Sequence, residues 1–200
     1  MIEYEAIVAK LRMQLSEKRY IHSLGVSQTA VQLARRFGAD LQKAALAGVL
    51  HDCARNFPED RLLSRAEEVG LAIDPVERHT PVLLHAKLGS LLAVSEYGVD
   101  DKEICRAIAF HTTGGSKMTL LDKIIYLADF IEPMRSFPGV EELRMLAEEG
   151  LDKALLAAYN QSVVYILHKG GLLHPDTVTG RNELVMQNRQ GQEGEGSIDE

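Results

Sequence analysis

Six residues of this 200-residue chain have side chains of the types that could form a transition-metal site: His22, His51, Asp52, His85, His111 and Asp129. Neutral imidazole and carboxylate, with no thiolate among them, suit iron, manganese, cobalt or another first-row metal and do not choose among these. The pattern is clearest at 44–57, AALAGVLHDCARNF, where an apolar run ends in His51 and Asp52. A helix that is apolar nearly all round is normally buried on every side. The two groups at its end resist burial unless they are paired, hydrogen-bonded or bound to metal. For the dipeptide alone, a His–Asp hydrogen bond closing a helix is a sufficient account.

Spacing changes that balance. At the intervals that gather side chains on one helix face, His22 lines up with Val26, Ala30, Leu33 and Phe37. His85 lines up with Leu88, Gly89 and Leu92, and His111 with Ile104, Ala107 and Ile108. Asp129 falls one turn beyond Ile125, at the edge of the apolar face of LLDKIIYLADFIEP. Taken singly, each is a satisfied core histidine or a capped aspartate. Taken together, four imidazoles and two carboxylates in one small core would cost about several kcal/mol each if unpaired, and a shared cation cluster accounts for all of them. His79, in a loop beside Thr80-Pro81, and His168, at a helix C-terminus where positive charge is favoured, stay outside the set.

The elements that must position these groups read as helices throughout. Helices are expected over 4–15, over 19–37 with Gly38 as C-cap, and from Asp40 through the apolar run. Others run over 58–69, from Asp74-Pro75, over 81–97, and from an Asp100/Glu103 capping box to His111. Thr119 and Asp122 cap the next, which Pro133 terminates, and the last two cover 140–149 and 151–168. TTGGSK at 112–117 is a loop, and LLHPDTVTGRN at 172–182 is expected to be irregular. No repeat and no alternating strand pattern is present. The expected fold is an all-α bundle, a single domain over 1–186, followed by an acidic tail at 187–200 expected to be disordered.

Composition narrows the function classes. With 46% apolar residues the chain can bury a sizeable core, and its net charge of −7 argues against a nucleic-acid backbone binder. No apolar run is long enough to span a bilayer, and MIEYEAIVAK lacks the features of a signal peptide. Cys53 and Cys105 form no metal-type pair and read as reduced thiols. The expectation is a cytoplasmic protein without nucleic-acid or membrane partners.

Arg19 lies one turn before His22, Arg55 three residues after Asp52, and Arg135 just past the helix of Asp129. Each alone reads as a solvated arginine; their nearness to ligand candidates on three helices suits bidentate grip of phosphates. Thr112 can add a hydroxyl. The TTGGSK loop lacks the spacing of a P-loop.

The order His22, His51-Asp52, Asp129 resembles the HD superfamily of metal-dependent phosphohydrolases. More narrowly, RYIHSLGV, LHDCAR, HA at 85–86, FHTTG, ADFIEPMR and LLHPDTVTGRN resemble the YqeK family of symmetrical diadenosine tetraphosphate (Ap4A) hydrolases, over about residues 5–187. The resemblance implies an HD-domain helical bundle around a dinuclear metal site. One ion would take His22, His51, Asp52 and Asp129, and the second His85 and His111 with Asp52 bridging. His51, Asp52 and Asp129 would form the reacting centre. The ions would be divalent or mixed-valence, iron foremost, with manganese or cobalt as alternatives. The substrate would be a dinucleoside polyphosphate and the product ADP, with a homodimer left open. Arg19, Arg55, Thr112, Arg135 and the segment His174, Pro175, Asp176 and Thr177 would contact the nucleotide. Other readings of the same ligand set are a phosphohydrolase for another nucleotide and a nucleotide sensor without turnover.

Overall fold

The computed structural model describes residues 4–195, with side chains to 189, and among these only helices and connecting turns occur. The helices are α1 (Tyr4–Gln14), α2 (Glu17–Phe37), α3 (Leu41–Leu50), α4 (Glu59–Glu68), α5 (Pro75–His79), α6 (Leu84–Ser95), α7 (Lys102–Phe110), α8 (Leu120–Ile131), α9 (Val140–Glu149), α10 (Leu151–His168) and α11 (Pro175–Glu195). The fold is all-α, as the periodicity requires.

Local chemistry sets the boundaries. Ser16 caps α2, its hydroxyl accepting from Arg19 N, and Gly38 ends that helix at φ 80°. Asp40 caps α3 through Gln42 N and Lys43 N. Thr119 and Asp122 form a reciprocal capping box on α8. Two caps differ from expectation. Asp101, not Asp100, caps α7 by accepting from Glu103 N and Ile104 N. Thr80-Pro81 opens a 3-10 turn, Pro81–Leu83, before α6 begins at Leu84.

The larger corrections lie at the C-terminus. LLHPDTVTGRN is irregular only through His174: α11 starts inside it, with Pro175 as first residue and His174 Nδ1 accepting from Asp176 N at 3.2 Å. Proline fits there because its missing N–H would be unsatisfied in any helix. The same helix runs on to Glu195, so the part of the expected disordered tail before that residue is helical. The remainder, 196–200, lies outside the described residues.

The most enclosed helix is α8 rather than α3. Its Ile124, Ile125, Tyr126, Leu127 and Ala128 are fully buried, whereas Ala45 and Leu46 of α3 are only half-buried. Each buried isoleucine or leucine contributes about 1.5–3 kcal/mol through apolar area removed from water. Packing against α8 are α2, α3, α7 and α10, so the helices bearing His22, His51 and Asp129 meet around one axis. Gly48 makes the α2–α3 crossing close: a Cβ there would stand 2.7 Å from the Ser27 Cα. A second, smaller apolar cluster, Leu62, Ala66, Leu84 and Leu88, seats α4 against α6.

Candidate metal centre

His22 lies on α2 with the buried Ser23 and Val26, and is itself buried. His51 is the C-cap of α3. The chain then tightens into successive i→i−3 turns, Cys53 N to Leu50 O at 3.0 Å and Arg55 N to Asp52 O at 2.9 Å, which turn Asp52 inward. His85 lies in the first turn of α6, His111 caps the end of α7, and Asp129 lies in the last turn of α8. All six sequence candidates converge.

They converge in two halves that share Asp52. In the first, His22 Nε2 stands 3.0 Å from Asp129 Oδ1 and 3.7 Å from Asp52 Oδ2, and His51 Nε2 stands 3.4 Å from Asp52 Oδ2 and 3.8 Å from Asp129 Oδ1. In the second, Asp52 presents its other oxygen: Oδ1 lies 3.1 Å from His85 Nε2 and 3.7 Å from His111 Nε2. His51 stands between the halves, its ring edge-on to His111 with centroids 4.9 Å apart. The ligand atoms of His22, His51 and Asp129 fall within 4.8 Å of one another, as do those of His51, Asp52 and His111.

The proton positions follow from the outer partners. His51 Nδ1 donates to Gly48 O at 2.7 Å, His111 Nδ1 to Ile108 O at 2.7 Å, and His85 Nδ1 to Val82 O. A carbonyl oxygen only accepts, so these rings carry their proton on Nδ1 and turn the Nε2 lone pair inward. His22 Nδ1 lies 2.9 Å from the Glu132 carboxylate. The lone pairs of His85 and His111 therefore face each other, their Nε2 atoms 3.0 Å apart, while His22 Nε2 stands 3.2 Å from His51 Nε2 and 3.0 Å from Asp129 Oδ1, with a carboxylate at each of its ring nitrogens. Imidazole lone pairs and carboxylates converging on common points are the donor set of a divalent cation, and the outward hydrogen bonds are those that orient metal-binding histidines. The residues fit the group.

Electrostatics agree with this. Burial alone would raise the Asp52 carboxyl, but the imidazoles of His51, His111 and His85 outweigh it and hold the group well below the ordinary carboxylate value. Burial is likewise outweighed at Asp129, by His22 and the Arg135 guanidinium, and its carboxyl is also lowered. His22 is pushed down by burial but raised overall by Asp129 and Glu132, whereas burial leaves His85 lowered. Cys53 is no competitor as a ligand: its Sγ points to Gly89 O at 3.5 Å, and burial raises the thiol.

The other candidates divide. Arg19 Nη1 reaches Asp52 Oδ2 at 2.5 Å, and Arg135 holds Asp129 by its side chain and by Nε to the Asp129 carbonyl at 2.6 Å. Both side chains are about one-third exposed, at 30% and 34%, so they stand at the mouth of the centre. Thr112 Oγ1 lies 3.0 Å from His111 Nε2 and 3.3 Å from His85 Nε2. Among the described residues, the side chains of Arg55, His174, Asp176 and Thr177 make no bond to the six. Thr177 instead donates to Thr113 O at 2.9 Å, tying α11 to the loop after His111, and His174 is buried 3.8 Å from Glu77. His79 bonds to Pro75 O within α5, and His168 is exposed at the end of α10, apart from the set.

Sequence reasoning missed Glu132. It is fully buried at the C-cap of α8, where Pro133 forces it out of the helix to ψ 153°. Its neighbourhood on Pro133, beyond an apolar helix, was the available signal.

The HD-domain family model matches residues 19–134. The symmetrical bis(5'-nucleosyl)-tetraphosphatase of Bacillus subtilis (strain 168) is 43% identical over 184 residues, which covers 90% of this chain and 97% of that protein. The protein of the same name from Halalkalibacterium halodurans is 40% identical, with 90% and 95% covered. A crystal structure from Clostridium acetobutylicum, of a predicted HD superfamily hydrolase involved in NAD metabolism, superposes with a TM-score of 0.90 at 43% identity, covering 94% of this chain and 99% of that one. With its six-residue double cluster and these relatives along most of its length, this chain belongs to the HD-domain hydrolases, in the family of symmetrical bis(5'-nucleosyl)-tetraphosphatases.

Proposed function

We propose that this protein hydrolyses Ap4A and related dinucleoside tetraphosphates at the middle of the phosphate chain, releasing two nucleoside diphosphates. The observation that carries the reading is the pair of half-sites bridged by the two oxygens of Asp52, on a chain whose relatives bear that activity in their names. His22, His51, Asp52 and Asp129 would hold one metal ion, and His85, His111 and Asp52 the other. Iron is the favoured metal, with manganese and cobalt as alternatives. When bound, such ions act as Lewis acids, lowering the pKa of water and neutralising charge that develops on phosphoryl oxygens.

The chain's own residues supply register. Arg19 and Arg135 stand at the mouth with guanidinium surface free to grip phosphate oxygens beside the centre. The Thr112 hydroxyl, 3.0 Å from His111 Nε2, would contact a phosphoryl oxygen at the second half. Arg55, on the turn after Asp52, and the segment from His174 through Pro175 and Asp176 to Thr177 would form the wall against which one nucleoside rests. If that wall and the arginines hold an adenosine with its two nearest phosphates, the second phosphorus lies at the centre and ADP is both products. A leaving ADP is moderately good, so no protein general acid is assigned.

The test is hydrolysis of Ap4A in oxygen-18 water with mass spectrometry of the products, after loading with each candidate metal. ADP alone, with label in half of it, is expected. ATP plus AMP would overturn the register, and no turnover with any metal would overturn the activity.

A further inference from the structure

Three of the four buried histidines at the centre give their outer proton to a backbone carbonyl; His22 alone gives it to a carboxylate. That carboxylate belongs to Glu132, only 1% exposed, and its geometry is heavily constrained. Oε1 lies 2.9 Å from His22 Nδ1 and Oε2 accepts from Met134 N at 2.7 Å. Room for it comes from Gly25, one turn after His22 on the same helix: a Cβ there would stand 2.6 Å from Oε2. Arg144 holds the carbonyls of Ile131, Glu132 and Arg135, so the turn presenting the carboxylate is itself pinned. No arginine or lysine pairs with the Glu132 side chain among the described residues, which leaves His22 as its one side-chain partner beside the backbone N–H of Met134.

We infer that Glu132 is a positioning residue: with the space left by Gly25, it draws the proton of the neutral His22 ring to Nδ1 against the competing Asp129 carboxylate, 3.0 Å from Nε2, so that Nε2 turns a lone pair to the first half of the centre. The inference rests on the two-metal reading for its consequence but not for its geometry. Glutamate is required because both of its oxygens receive N–H donors. A glutamine can satisfy one donor only by turning its amide N–H2 toward the other. If it keeps the bond from Met134 N, which is fixed backbone, its N–H2 faces His22 Nδ1, and the ring responds by moving its proton to Nε2, into the centre. That proton then occupies the position a metal needs.

The experiment uses the full chain as wild type, Glu132→Gln and Gly25→Ala. The second variant keeps the carboxylate but pushes it with a methyl group. Nitrogen-15 correlation spectra of the histidine rings in metal-free protein, at alkaline pH where the ring is neutral, report the tautomer of His22 directly. Chelator competition with manganese as probe reports the affinity of each equivalent, and melting of metal-free protein reports folding. Wild type should show Nδ1–H at His22. Glu132→Gln should show Nε2–H, with one of two manganese equivalents weakened about ten- to a hundredfold and the other unchanged. Gly25→Ala should move both in the same direction by less. Unchanged tautomer and affinities in both variants would overturn the inference, as would loss of both equivalents together with the fold. A wild type that holds fewer than two manganese ions would count against the two-metal reading, and the tautomer spectra would still decide the role of Glu132.

Discussion

The two halves of the centre meet at Asp52 and His51 and differ in nearly everything else. The first half is charged: Asp52 Oδ2 and Asp129 meet two imidazoles, Arg19 and Arg135 lean on those carboxylates, and Glu132 stands behind His22. The second half is nearly neutral: two imidazoles backed by carbonyls, a single shared oxygen and the Thr112 hydroxyl. A cation in the first would be held by charge as well as lone pairs, whereas one in the second would rely more on lone pairs. The placement of the charge has a cause. Asp129 and Glu132 lie at the C-terminal end of α8, where the helix dipole opposes anions by about 0.3–1 kcal/mol each, and the nearby arginines and histidine offset it. A cation is the further group that this end of the helix would favour.

The comparison can be broken first at the residue both halves use. Asp52→Asn should remove both metal equivalents and lower kcat by about a thousandfold or more, because the amide cannot offer two anionic oxygens. Elemental analysis beside single-turnover kinetics checks it; retention of one equivalent would mean that the halves are independent. Next, His85→Ala should remove one equivalent, with a loss of about a hundredfold in kcat and the other equivalent intact. Equal loss of both would erase the distinction.

A smaller effect is expected at the arginines of the mouth. Arg19→Gln should raise KM for Ap4A by about tenfold, as a charge-assisted phosphate contact of roughly 1.5 kcal/mol would, with less change in kcat. A change confined to kcat would assign Arg19 to the centre instead of the substrate.

The halves should also differ in their response to pH. His22 is raised, so in metal-free protein its contribution to stability is present below its ordinary value near 6.5 and lost as pH rises through the folded value. Binding metal there must displace that proton, so loading of the first half should strengthen from about pH 6 to 8. Burial lowers His85, so it has less proton to release over that window and the second half should depend on pH less than the first. Calorimetric titration in two buffers of different ionisation heat measures the protons released at each step. The smallest effect is at His79, whose ring is occupied with Pro75 O; His79→Ala should leave metal content and kcat/KM within about twofold of wild type.

Much of this protein was legible as residue type and period. The helical spacing of His22, His85 and His111 placed each on an apolar stripe, and an apolar stripe has only the core to face. Caps at Asp40 and Thr119 and the stop at Pro133 are local chemistry, so α3 and α8 ended where the sequence said they would. Other features needed the packed chain. Which oxygen of Asp52 faces which half depends on the turns after α3, not on its neighbours in sequence. Glu132 acquires its partner 110 residues away only because Gly25 lets the turn after α8 lie against α2. Thr177, which by sequence looked free to meet a nucleotide, spends its hydroxyl on Thr113 once α11 docks. Side-chain chemistry and helix period are properties of short stretches, so the sequence alone determined the six side chains that converge and the helices that bear them. Proton positions, shared oxygens and long-range partners are set by distances between helices, and only the tertiary structure could decide them.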